Sequence, residues 1–237
     1  MKPKVICHMM SSVDGRLVAD RWTPPFNGMI QDKMYEPYYE ISSELKARAW
    51  MIGNNTIQID NQVEIFDYSK YVPANIFKTH IGKRETEKTC IIFDSKGKII
   101  YPDDNINGDN VITVLSERVS DEYLSHLRQK GISYIFAGND GYDLHKALET
   151  LYSEFGYDEL LLDGGGVLNG KFLKEGLIDE LSLLIYPGVD GLSGVSSIIE
   201  YKGKAGEFPA TGQALQLLSV KQLRDGIVWL HYQFHRL

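Results

Sequence analysis

Residues 160–173 read LLLDGGGVLNGKFL. A short apolar run ends at Asp163, three glycines follow (Gly164, Gly165 and Gly166), and the apolar spacing then turns helical through Val167, Leu168, Phe172 and Leu173. Glycine removes the Cβ that would keep a ligand off the backbone. The first N–H groups of the helix that follows lack internal partners and can hold a phosphate. The stretch is therefore a candidate pyrophosphate cradle. Its spacing is not G-x-G-x-x-G, it lies two-thirds of the way along the chain, and the acidic residues downstream, Asp179 and Glu180, lead into another apolar strand. A Rossmann first turn is disfavoured on those grounds, and a phosphate site of another fold stays open beside plain turn or packing roles for the glycines.

Working outward, strand-like runs occur at 5–9, 50–52, 89–93, 111–114, 133–136, 159–162, 180–186, 214–222 and 227–235, with helical spacing at 32–48, 122–130, 143–155 and 167–175. Alternation of strand and helix indicates an α/β fold with a largely parallel sheet. The last two strands, joined through Arg224-Asp225-Gly226, read as an antiparallel hairpin, so the sheet is mixed. Residues 60–88 are the least regular, and the glycine-rich segment 187–212 reads as a lid or rim. A single domain over residues 1–237 is the simplest account.

The chain has 43% hydrophobic and 24% charged residues, as ordinary globular proteins do, and its formal charge of −7 argues against a general nucleic-acid or membrane-surface role. Its two cysteines, Cys7 and Cys90, lie in apolar runs, which suggests buried thiols in a cytoplasmic protein rather than a disulfide framework. No secretory signal or membrane span is evident. The six histidines have no metal-ligand spacing, and C-x-x-C, H-E-x-x-H, Walker and G-x-S-x-G patterns are missing, so no metal site is expected. His8, alone in its strand, reads as a packed, hydrogen-bonded residue.

Three other strand ends carry polar groups. Ser11, Ser12 and Asp14 follow the first strand, where open α/β sheets bind ligands, although on this motif alone an Asp-Gly turn with local serine bonds is the favoured account. In WMIGNNTIQID (50–60) a strand ends at Gly53, Asn54 or Asn55 can cap a short helix, and Thr56 falls in its first turn. In IIFDSKGKI (91–99) a strand ends in Asp94-Ser95 followed by Lys96 and Lys98, groups suited to a cofactor 2′-phosphate or simply to a solvated turn.

In order and spacing, SSVDGRL (11–17), AWMIGNNTIQID (49–60), IIFDSKGK (91–98) and LLLDGGGVLNGKFLKEGLIDELSLLIYP (160–187) resemble the RibD C-terminal reductase family. The resemblance spans most of the chain. It implies a dihydrofolate-reductase-like fold, a three-layer α/β/α arrangement on a mixed, mostly parallel sheet with a C-terminal antiparallel hairpin. It also implies an NADPH-dependent reductase, usually a homodimer, that converts the ribosylamino side chain of a phosphorylated diaminopyrimidine or aminouracil to ribitylamino in riboflavin biosynthesis. On the family's motifs, Thr56, Asp60 and Ser95 fall at NADP contacts, and Gly164, Gly165, Gly166, Val167 and Leu168 at the pyrophosphate turn. Ser12, Asp14 and Asp163 fall on the substrate side, Asp163 standing where the family has Glu. Departures are concentrated there too: Glu44 stands where the family commonly has a phosphate-binding arginine, and Asp60-Asn61-Gln62 replaces Asp-Asp-Pro. A reductase of another pyrimidine- or pteridine-like molecule, and a nucleotide-binding protein without turnover, are the alternative expectations.

Overall fold

The computed structural model of the chain describes all residues except 27, 29–32, 62–63, 68–71 and 73, with the backbone alone for 59–61. In chain order its elements are β1 (Lys4–Ser12), α1 (Glu36–Glu44), β2 (Ala49–Gly53), α2 (Asn54–Asn61), β3 (Glu64–Ile65), β4 (Thr89–Phe93), β5 (Ile99–Ile100) and β6 (Asn105–Ile106). These are followed by β7 (Asp109–Leu115), α3 (Asp121–Lys130), β8 (Ser133–Phe136), α4 (Leu144–Phe155), β9 (Glu159–Leu162), α5 (Gly166–Lys174), β10 (Glu180–Tyr186), β11 (Gln213–Gln222) and β12 (Val228–Arg236). The fold is α/β with a mixed sheet, as the alternation of apolar periods predicts. The helix expected over 32–48 is shorter, beginning at Glu36 with Pro37 in its first turn and stopping at Glu44 before Lys46, whose φ is +57°. Pro is tolerated at a helix start because its missing N–H would go unbonded there anyway. Residue 32 lies outside the described residues.

The elements form two compact units, Met1–Pro3 with Arg48–Leu160, and Lys4–Ala47 with Leu161–Leu237. In the first, β2, β4, β7 and β8 pair in parallel, and β6 pairs antiparallel with β7. The runs TCIIF and VITVL are buried on both faces, as parallel strands require. Ile52, Ile92 and Val111 join Tyr123, Leu124 and Leu127 of α3 in one apolar cluster. Fully burying one such isoleucine contributes roughly 2 kcal/mol. Local signals set the helix ends: Ser120 caps α3 by accepting from the Tyr123 N–H, Asp143 caps α4 by accepting from Lys146, and both helices end on a glycine in the left-handed region. Of the two-residue pair β3–β5, strand β3 lies in the region expected to be irregular and β5 beyond it.

In the second unit, β1 pairs in parallel with β10, and β10, β12 and β11 continue antiparallel. The hairpin turns through a 3-10 segment, Arg224–Gly226, with Asp225 at φ +60°. Asp179 sets the register of β10 against β1: its carboxylate accepts from the Val5 N–H at 2.8 Å and its own N–H donates to the Val5 carbonyl at 2.9 Å. Helix α1 covers one face through Ile41, with Met10, Leu184, Tyr186 and Trp229. Met9, pointing the other way, faces Gly164. Among the described residues no helix is long and apolar enough to cross a membrane.

Candidate active site

The turn after β9 carries Asp163 and the three glycines, each glycine with a different task. Gly164 has φ +101°, a conformation that side chains rarely adopt, and the peptide joining it to Gly165 is cis. Gly165 is the N-cap of α5, in extended conformation, and its carbonyl accepts from the Leu168 N–H at 2.9 Å and the Asn169 N–H at 3.2 Å. Gly166 is a glycine because the chain itself comes close: a Cβ there would collide with the Ser197 carbonyl oxygen, and one on Gly170 with that of Glu200. Segment 195–201 lies across this face of α5, with the Glu200 N–H donating to the Gly166 carbonyl at 2.8 Å and the Asn169 amide donating to the Ile198 carbonyl at 2.7 Å. Because the Leu168 and Asn169 amides turn back onto Gly165, the N–H groups of residues 166 and 167 are the first-turn donors left without a partner inside the helix.

Asp163 sits directly before that helix start. The residue is half-buried, but its Oδ1 is fully buried and has no hydrogen-bond partner in the protein. Burial pushes its pKa up to about 7, against a hydrogen bond with Tyr38 that pulls it down. Burial raises the Cys7 thiol, and the nearby Asp163 charge adds to the effect. The Tyr38 hydroxyl is likewise pushed well above its usual range by burial and then by Asp163.

Behind this carboxyl runs a buried polar chain. The Tyr38 ring stacks on His8 with centroids 4.2 Å apart. His8 Nε2 lies 3.1 Å from the Tyr38 carbonyl and Nδ1 lies 3.0 Å from Ser182 Oγ, which accepts from Trp229 Nε1–H at 2.8 Å. Burial lowers the His8 pKa to about 4, so the ring is neutral at physiological pH. A carbonyl can only accept, so Nε2 carries the proton and Nδ1 accepts from the Ser182 hydroxyl. His8 is thus a packed, satisfied residue, as expected of it. Sequence reasoning missed Tyr38: it lies 125 positions before Asp163, in the run YEPYY, and no spacing marks it.

Ser12 and Asp14 are brought together at the end of β1. The Ser12 hydroxyl donates to Asp14 at 2.6 Å, and Asp14 also accepts the N–H groups of Gly191 at 2.8 Å and Asp190 at 3.2 Å. The hydroxyl bond above all, then the Gly191 amide, holds the Asp14 pKa down to about 2. Arg16 donates to the Val195 carbonyl, and Arg21 forms a two-pronged pair with Asp190. These groups fasten the first turn to segment 188–197.

Thr56 and Ser95 lie in the first unit. Gly53 and Phe93 are paired at the ends of parallel neighbours β2 and β4, so the turns bearing Thr56 and Ser95 leave the same sheet edge side by side. Helix α2 starts at Asn54 itself, one residue earlier than a capping asparagine there would allow. The Asn54 amide instead donates to Asp94 at 3.0 Å. Asp94 is fully buried and also accepts from the N–H groups of Lys98 and Ile99 and from the Tyr123 hydroxyl. Ser95 Oγ lies 3.4 Å from the Tyr142 hydroxyl. Asp60 is in α2, and its side chain is outside the described residues. Glu44 ends α1, which carries no basic residue, and Glu36 and Glu40 of that helix pair with Arg224.

A strand-to-helix glycine turn with a proton-binding carboxyl at its entrance, in an α/β fold with a C-terminal hairpin, is an arrangement that comparisons with known proteins can place. The RibD C-terminal domain family matches residues 3–229, across both units, and the chain belongs to that family. It is 25% identical over 206 residues to the 2,5-diamino-6-ribosylamino-4(3H)-pyrimidinone 5′-phosphate reductase of Aquifex aeolicus, covering 85% of this chain and 84% of that one. The protein of the same name from Methanothermobacter thermautotrophicus is 25% identical over 205 residues, covering 86% of each. Among solved structures, a pyrimidine reductase-like protein of Corynebacterium diphtheriae is similar in fold, with TM-score 0.68 at 17% identity over 99% of this chain and 93% of that one. Rib7 of Saccharomyces cerevisiae, a riboflavin biosynthesis reductase, gives 0.55 at 15% identity over 99% and 90%.

Proposed function

We propose that this chain is an NADPH-dependent reductase of riboflavin biosynthesis, reducing the ribosylamino side chain of a phosphorylated diaminopyrimidine or aminouracil to ribitylamino. The observation that carries the reading is the Asp163 carboxyl, buried at Oδ1 without a protein partner, just before the start of α5. Family membership over both units and the names of the two relatives support it.

The residues present fit a dinucleotide. The amides of residues 166 and 167 can hold a phosphate, since the partial positive charge of a helix N-terminus favours an anion. The family correspondence adds Thr56, Asp60 and Ser95 as cofactor contacts, with Ser12, Asp14 and Asp163 on the substrate side. When bound, NADPH supplies the hydride. The chain's own work is to position and to hold a proton. Reduction of a ring-opened ribosylamine leaves a new proton on nitrogen, and a carboxyl with pKa about 7 is part protonated at neutral pH and can hold or release one. The Tyr38 hydroxyl, which donates to the His8 carbonyl at 3.3 Å, is close enough to that carboxyl to favour its ionised form, and the neutral His8 stacked on the ring keeps the tyrosine in place.

We read the protein as a cytoplasmic homodimer acting as one reductase domain over residues 1–237. A second reading, a reductase of another pyrimidine- or pteridine-like molecule, draws on one observation: the acidic α1, with Glu44 at its end, offers no cation for a substrate phosphate. NADPH oxidation followed by absorbance with the ribosylamino substrate decides between the two, since turnover on it excludes the second. Titration calorimetry tests the cofactor: wild type should bind NADPH, and Gly165→Val, whose backbone angles suit valine but whose side chain would enter the cradle, should bind at least ~100-fold more weakly while remaining folded. Failure of the wild type to bind at millimolar NADPH overturns the reductase reading, and binding without turnover leaves a nucleotide-binding protein.

A further inference from the structure

The face of the second unit's sheet that α1 covers is lined by Met10, Leu184, Tyr186 and Trp229. His8 and Ser182 stand on that same face, two residues from Met10 and Leu184 along their strands and paired with each other across β1 and β10. Both are fully buried. Their hydrogen bonds run in one direction. An indole N–H can only donate, and Ser182 Oγ accepts it from Trp229 at 2.8 Å, so the serine proton goes on to His8 Nδ1 at 3.0 Å. The His8 proton is thereby left on Nε2, which donates to the Tyr38 carbonyl at 3.1 Å. Tyr38 answers with its hydroxyl on the His8 carbonyl at 3.3 Å and its ring stacked on the imidazole.

Stability gives no reason for this chain of bonds. A hydroxyl and an imidazole moved from water into an apolar layer return only a small net gain when bonded, and apolar side chains of the same shape would serve as well. What the bonds supply is a fixed place for Tyr38, whose hydroxyl lies close enough to Asp163 to favour the ionised carboxyl. We propose that Ser182 is a positioning residue of the reductase reaction: by dictating which His8 nitrogen carries the proton, it keeps Tyr38, and with it the hydroxyl beside Asp163, in the working arrangement. The inference rests on the reductase reading above and carries it into the antiparallel part of the sheet. Without the Ser182 hydroxyl, Nδ1 loses its donor, the other tautomer serves the imidazole as well, and the bond to the Tyr38 carbonyl is no longer enforced. Other titratable groups face this layer from the elements around it: Cys7 of β1 and Tyr39 of α1 near Tyr38, and His231 of β12, paired with Glu180, near His8. Substituting Ser182 leaves all of them in place, so they act alike in wild type and variant.

NADPH oxidation with the ribosylamino substrate, followed from about pH 5 to about pH 9 in wild type, Ser182→Ala and Ser182→Thr, tests the proposal. In Ser182→Ala kcat should fall ~10-fold or more while KM for NADPH stays unchanged. Its pH profile should move upward, because Tyr38 no longer favours the ionised Asp163 as strongly. Ser182→Thr keeps a hydroxyl and should recover most of the loss. A wild type without turnover would overturn the reductase reading and this proposal together. Turnover in the wild type that Ser182→Ala matches, or a threonine variant no better than alanine, would overturn the proposal and leave the reductase standing. Should Ser182→Ala fail to fold, nitrogen-15 NMR of His8 in the wild type replaces it. A single tautomer protonated at Nε2 is expected, and a proton on Nδ1, alone or in a mixture, would overturn the proposal.

Discussion

Two aspartates follow strands in this molecule, one in each unit, and they are treated in opposite ways. Asp94 closes β4 and receives the Asn54 amide, two backbone N–H groups and the Tyr123 hydroxyl. Asp163 follows β9 with Tyr38 as partner and with Oδ1 bare. Burial raises both pKa values, but four donors oppose it at Asp94 and one at Asp163. Burying a carboxyl without satisfying it costs stability, while donors aimed at both oxygens recover most of that cost. The contrast separates a carboxylate that ties a turn together from one kept available for a proton.

The sharpest way to break the contrast is Asp163→Asn, which keeps the shape and removes the proton. Turnover should fall by ~10²–10⁴-fold with the melting temperature unchanged or higher. Turnover near wild type would remove Asp163 from the chemistry. Asp94→Ala should do the reverse, destabilising the protein by about 3 kcal/mol in urea unfolding because the donors it satisfies lose their acceptor, while the folded fraction keeps its turnover at saturating cofactor.

A third test uses pH. Asp163 ionises near 3.8, the ordinary carboxyl value, when unfolded and at about 7 when folded. The folded state therefore binds the extra proton between those values, and the stability this group confers is lost as pH rises from about 4 through about 7. In Asp163→Asn that loss should vanish, a difference on the order of 2–4 kcal/mol between pH 4 and pH 8. His8, with its pKa lowered to about 4, acts in the other direction, removing stability as pH falls from 6.5 to 4, and His8→Gln should flatten that limb instead. The smallest effect is at Tyr38: Tyr38→Phe deletes the bond that favours ionisation, so the Asp163 pKa should rise by ~0.5–1 unit, visible in carbon-13 carboxyl titration.

Much of this was legible in the residues. Strands 89–93, 133–136, 159–162 and 180–186 are found where their apolar runs stand, because a period of two or an unbroken buried run has few other uses. The caps Ser120 and Asp143 and the terminal glycines Gly131 and Gly156 act within their own helices, yet the sequence reading did not single them out. The strands β3, β5 and β6, at two residues each, carry no period at all. The candidate site was half visible. Asp163 stands out beside its glycines, but the Tyr38 bond and the stacking of Tyr38 on His8 depend on packing between residues far apart in the chain. The triplet read as one cradle divides in the structure, since Gly166 is needed by the approach of Ser197 and Gly164 by its own φ.

That division bears on how a saturation mutagenesis map of this turn would look. Gly166 and Gly170 will score as intolerant in any assay that needs folded protein, including one blind to catalysis, because backbone oxygens of segment 195–201 occupy the space of any side chain. Gly165, at ordinary backbone angles, should tolerate alanine for abundance while failing for cofactor-dependent growth. The cradle would then show itself as the position where the abundance and growth scores part, with the most sensitive glycines marking the strap of 195–201 instead.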